Sequence, residues 1–201
     1  MRVRPKWLAA GVAAIALSTC ITTGVSLVPP TLALGPCLKD WTSPVSYRPR
    51  ASPLATIELN TGDASVRLCY GRPAMRGRKV FGGLVPFDSL WRMGANEPTR
   101  LSTDAPLSLA GISLPPGRYS LYTIPHPEQW EIFVSRSTLH WGNDISPAVR
   151  QREVGRTMLP VERLTSPVET LTIRADTLEG AAALRIEWEN TRVTLPISSA
   201  H

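Results

Sequence analysis

ETLTIRADTLEGAAALRIEWENTRVTLPI, residues 169–197, decides the fold class. Leu171, Ile173 and Ala175 alternate with polar neighbours, as do Leu184, Ile186 and Trp188, and then Val193, Leu195 and Ile197. A period of two places each trio on one face of a strand, with one face buried and one wet. The segment reads as three strands, Glu169 to Ala175, Ala183 to Glu189 and Arg192 to Ile197.

The same signal recurs upstream. Ala55 to Leu59 and Ser65 to Tyr70 alternate around Asn60-Thr61-Gly62-Asp63, a hairpin pattern. Val66, Leu68 and Tyr70 share a face, with Arg67 and Cys69 on the other. Thr99 to Thr103, Leu107 to Leu109, Ile112 to Leu114, Tyr119 to Ile124 and Trp130 to Ser135 follow, with Pro115-Pro116-Gly117 as a strong turn. Arg136 to Pro160 is polar, with a short helix predicted near Ala148 to Glu153. No repeat or low-complexity run interrupts the series. Residues 55–198 are therefore expected to form an all-β antiparallel sandwich of about eight to ten strands.

One stretch breaks the alternation. Between Tyr70 and Thr99 the chain carries Gly71, Pro73, Gly77, Gly82, Gly83, Pro86, Gly94 and Pro98, so most of it must be loop. An irregular segment of this length inside a compact domain tends to be functional.

The N-terminus carries a different message. Arg2, Arg4 and Lys6 precede an apolar run from Trp7, and no charge occurs between Trp7 and Pro36. This is the layout of an export signal, which places the rest of the chain outside the cytoplasm. Residues 1–33 can end in three ways: cleavage near Thr31-Leu32-Ala33, lipidation of Cys20 in a lipobox-like Leu-Ser-Thr-Cys, or retention as a membrane anchor. Residues 34–54 read as a linker. The expected location is periplasmic or cell-envelope, with the membrane engaged only through the leader. Cys37 and Cys69 remain after it, an even number suited to an oxidising compartment, either as a disulfide or as two buried thiols.

Charge narrows the partners. The formal net charge of +6 includes the three leader cations, leaving a mildly basic domain of +3. No arginine-rich helix or basic patch interleaved with aromatics argues for nucleic acid. No P-loop, dinucleotide fingerprint or metal-ligand spacing is present, so no cofactor is expected.

Several segments are similar to one bacterial family: Tyr70-Gly71-Arg72-Pro73, the run Gly77 to Pro86, Trp91-Arg92-Met93-Gly94-Ala95-Asn96-Glu97, Leu114 to Leu121, and Glu187-Trp188-Glu189-Asn190-Thr191. Together they resemble the exported proteins grouped as domain of unknown function 2911, over roughly Ala55 to Ile197. The resemblance implies export and a β fold, adds weight to the Tyr70–Thr99 stretch, and supplies no reaction. His126 falls where that family has a variable turn.

Within the stretch, Arg72, Arg76, Arg78, Lys79 and Arg92 offer guanidinium forks and an ammonium suited to carboxylate or phosphate. The opposing structural reading pairs Arg72 and Arg92 with Glu97 and Asp88 to hold the loop shut. Trp91, Arg92, Asn96 and Glu97 together suit a polar ligand. The expected site is a pocket with Tyr70 and Trp91 as apolar wall, Arg72, Arg92, Asn96 and Glu97 as polar contacts, and Lys79 at the mouth. The expected function is binding of a small polar or anionic ligand in the envelope. One alternative is a hydrolase or lyase using Glu97 or His140 as acid-base; another is a structural envelope protein that joins partners through a sheet edge.

Overall fold

The computed structural model describes Cys37 and residues 50–200. The leader, Cys20, most of the linker and His201 lie outside the described residues.

Ten strands form two antiparallel sheets. β1 (Leu54–Thr61) and β2 (Ala64–Gly71) make the expected hairpin, in register from Leu54 opposite Gly71 to Thr61 opposite Ala64. β3 (Thr99–Thr103), β4 (Leu107–Leu109), β5 (Ile112–Leu114), β6 (Gly117–Pro125) and β7 (Gln129–Ser135) follow. A single helical turn, α1 (Pro147–Arg150), precedes β8 (Glu153–Pro160), β9 (Glu162–Leu178) and β10 (Ala181–Ser199). One sheet runs β1-β2-β3-β6-β7-β8 and the other β5-β4-β10-β9. The fold is the β-sandwich that the alternating pattern predicts.

The inward faces carry the side chains that the alternation selects. Val66, Leu68, Leu101 and Leu121 from the larger sheet meet Leu171, Ile173, Leu184, Ile186, Leu195 and Ile197 from the smaller one, all fully buried. Packing of this kind is the main stabilising term of the domain. A smaller cluster sits on the outer face of the larger sheet. There Ile145 and Val149 of the α1 segment cover Tyr122 and Phe133.

The strand boundaries depart from expectation in two places. The last two predicted strands are one strand, β10, with a bulge between Glu187 and Thr191. Glu189 sits there at φ +53°, and the extra residue changes which parity faces inward: Ile186 and Trp188 before it, Val193, Leu195 and Ile197 after it. The polar stretch after α1 contains β8, and β9 begins at Glu162, not Glu169. Both are edge strands, where Pro160 and Pro167 are tolerated because one side needs no ladder bond.

Cys37 and Cys69 are joined in a disulfide across a separation of 32 residues. It ties the segment before β1 to the outer face of β2 and fits an oxidising compartment. No helix among the described residues is long and apolar enough to cross a membrane. Closing a loop of this length should stabilise the fold by about 3–4 kcal/mol. Reduction, or the Cys37→Ser/Cys69→Ser variant, is expected to lower the melting temperature by roughly 10 °C; calorimetry with and without reductant checks this.

Candidate functional site

The excursion between β2 and β3 is held to the sandwich by three kinds of contact. Its first leg closes the free edge of β9. The Met75 N–H donates to the Glu169 carbonyl (2.8 Å), the Leu171 N–H donates to the Pro73 carbonyl (2.9 Å), and the Tyr70 hydroxyl accepts the Ile173 N–H (2.8 Å). Its middle turn is gripped by the β10 bulge, where the Glu189 carboxylate accepts the backbone N–H groups of Val80 and Phe81. Its second leg pairs with β6 through two Trp91–Thr123 backbone bonds of 2.8 Å. This accounts for backbone groups that no ladder satisfies.

The glycines serve close approach as much as turning. A Cβ on Gly71 would lie 2.0 Å from the Ala95 carbonyl oxygen, so the two legs meet backbone to backbone. Arg76, Asp88, Met93 and Asn96 all adopt positive φ within this one excursion. For Met93, which is fully buried, that conformation is held by the surrounding packing and by the Thr99 hydroxyl donating to its carbonyl (2.9 Å).

Between the legs lies a cleft of about 430 Å³. Trp91, Trp188, Val85 and Leu84 supply its apolar lining. Arg76, Arg78 and Arg92 form its basic side, and residues 51–52 and Asn143 complete the wall. The family model described as protein of unknown function (DUF2911) matches residues 52–197. The chain belongs to that family. No curated protein and no solved structure matches it.

The residues singled out from sequence divide in this DUF2911 domain. Trp91 and Arg92 line the cleft. Tyr70 is buried between the sheets at Ile173, and burial raises its pKa. Arg72 spends its guanidinium on the Leu171 carbonyl and the Thr172 hydroxyl. Lys79 is exposed and opens onto a separate hollow of about 330 Å³ beside Phe81, Phe87 and Glu189. Glu97 is buried in a two-oxygen ion pair with Arg50, with side-chain exposures of 2% and 5%. The Asn96 amide donates to the Ser52 carbonyl (3.1 Å). Glu97 and Asn96 thus act one step away from the cleft. With Arg76, which donates to the Ala51 carbonyl (3.2 Å), they pin the segment 50–53 that forms one wall.

The electrostatics of the cleft are one-sided. No carboxylate lines it. Arg76 and Arg78 donate to backbone carbonyls, and none of Arg76, Arg78 and Arg92 has an ion pair among the described residues. The Arg92 Nε is buried without a hydrogen-bond partner. Burial lowers the Arg92 pKa, and the Glu97 charge opposes that shift only in part. Arg92 is therefore a partly desolvated cation with no ion pair of its own, and the exposed Arg76 and Arg78 share the cleft lining with it.

Sequence reasoning grouped Arg76 and Arg78 with the basic loop but could not find Trp188 or the 50–53 wall. Trp188 comes from a distant strand. Arg50 stands in a segment with no periodic signal.

Two outcomes follow. Glu97→Gln leaves Arg50 buried beside a neutral amide and should cost about 3 kcal/mol in urea denaturation. The Arg50→Met/Glu97→Leu double variant should recover most of it. His140, outside the cleft lining, is half-buried; neither ring nitrogen has a well-formed hydrogen bond, and burial lowers its pKa against the opposing Ser137 backbone and Asp144. The unfolded chain then takes the proton first, so the His140 contribution is flat above about pH 6.5 and falls below it. His140→Gln should flatten the fall in urea midpoint seen on acidification.

Proposed function

We propose that this domain binds a small anionic ligand outside the cytoplasm, in the cleft between the two legs of the excursion. The observation that carries the reading is Arg92: a guanidinium with a buried, unpartnered Nε in a cleft whose lining adds two exposed arginines without ion pairs and no carboxylate. A folded protein ordinarily supplies a carboxylate for a withdrawn guanidinium, as Glu97 does at the Arg50 Nη1. Arginines grouped without acids attract an anion from solution. The volume lies in the range of small-ligand sites, and the mixed apolar and basic walls suit orientation as well as affinity. Export is supported by the disulfide and by the basic and apolar layout of the first residues.

Binding, not acid-base chemistry, is the reading favoured by the cleft lining. Glu97 is engaged by Arg50, and His140 is not among the lining residues.

Because Trp91 and Trp188 border the cleft, their fluorescence reports occupancy. Titration with inorganic phosphate, citrate and benzoate at low ionic strength should give a saturable response for at least one of them. Arg92→Ala should weaken it tenfold or more. The same variant should melt at or above the wild-type temperature, since it removes a partly desolvated charge that Glu97 offsets only in part. No saturable response, or an Arg92→Ala variant that binds normally and melts lower, would refute the reading.

A further inference from the structure

Resting on the reading of the cleft as an anion site, we propose that its ligand is a doubly charged oxyanion carried on an apolar body, as in a phosphate monoester of an aromatic or aliphatic alcohol. Three guanidiniums line the cleft with no acid among them, and Glu97, the nearby carboxylate, is already neutralised by Arg50. Arg92 is partly buried while Arg76 and Arg78 are exposed, so a single carboxylate would match the inner cation and leave the two outer ones without an anion. A dianion balances the set better, and its oxygens can accept from the guanidinium N–H groups not already given to the Ala51, Ala74 and Met75 carbonyls.

The apolar lining calls for more than an ion. Leu84 is 43% exposed, one of few large apolar side chains left open, and it stands on the lip of this cleft. The nearly buried Val85, Trp91 and Trp188 line the cleft with it. An inorganic ion would leave that side wet, whereas an apolar group joined to the oxyanion would cover it. A neutral sugar fits poorly. The one side-chain amide in the lining, Asn143, directs its Oδ1 to the Arg92 N–H (3.3 Å), and no acid is present to accept from hydroxyls.

Calorimetric titration of the purified protein with phenyl phosphate, phenyl sulfate and inorganic phosphate separates the terms. Phenyl sulfate has the same shape with one charge fewer, and inorganic phosphate has the charge without the body. Phenyl phosphate is expected to bind about tenfold tighter than either. Leu84→Ser should weaken phenyl phosphate roughly fivefold and leave inorganic phosphate unchanged. Equal affinity for phenyl sulfate overturns the double charge, and equal affinity for inorganic phosphate overturns the apolar body; in both cases the anion site itself stands. If none of the three binds, and citrate and benzoate also fail, the anion site falls too. Sedimentation with phosphatidylcholine vesicles, with and without phosphatidic acid, distinguishes the source. Binding to the phosphatidic acid vesicles that phenyl phosphate competes away supports a lipid headgroup. Binding of phenyl phosphate alone supports a soluble monoester.

Discussion

Four aromatic rings hold the excursion to the sandwich. Phe81 and Trp91, both from the irregular stretch, enter the core between Trp130 of β7 and Trp188 of β10. Trp91 stacks on Trp188 at 5.8 Å and meets Trp130 edge-on at 5.7 Å, while Phe81 lies 5.2 Å from Trp130. Buried aromatic groups of this size dominate local energetics, and offset or edge-on geometry adds to their burial. The loop is therefore part of the core, not a flap lying on it. Arg92 follows a ring fixed on several sides, and its backbone N–H donates to the Asn143 Oδ1 (3.3 Å).

That insertion explains why a long segment without regular structure can be rigid enough to form a site. Its backbone groups are satisfied by the β9 edge, by Thr123 and by the Glu189 carboxylate. Glu189 links two features that are remote in sequence. The bulge that gives it a positive φ also reverses the inward parity of β10, so one irregularity both fits the strand to the core and aims a carboxylate at the Val80–Phe81 turn. The four non-glycine residues at positive φ in the excursion are tolerated because ring packing and these bonds over-determine the conformation.

The sandwich was legible in the sequence because burial on one face imposes a period of two, which Leu171-Ile173, Leu184-Ile186 and Val66-Leu68 carry openly. β8 and the first half of β9 were not, because edge strands need neither alternation nor freedom from proline. In the site, the composition of Trp91-Arg92 and the arginines around Arg76 marked the right stretch. The partition among them was hidden. Whether Glu97 meets Arg92 or Arg50 depends on where residue 50 returns in space, and no local pattern encodes that. Asn96 and Glu97 read equally well as ligand contacts or as struts, since the residue types are the same for both roles.

The contrast between Arg50 and Arg92 gives the functional reading its physical basis. Both guanidiniums belong to the same small region and both are withdrawn from water. One is matched by a carboxylate with two oxygens; the other lines the cleft with no ion pair, and its Nε has no hydrogen-bond partner. Selection for stability alone would treat them alike, because an unpaired, partly buried cation costs free energy that a neutral side chain would not. A fold whose local features otherwise agree tends to break its own rules where something else must bind. The ion pair beside the cleft shows that this scaffold can neutralise an arginine when nothing further is asked of it. The charge left on Arg92 is therefore best understood as half of an interaction whose other half arrives from solution.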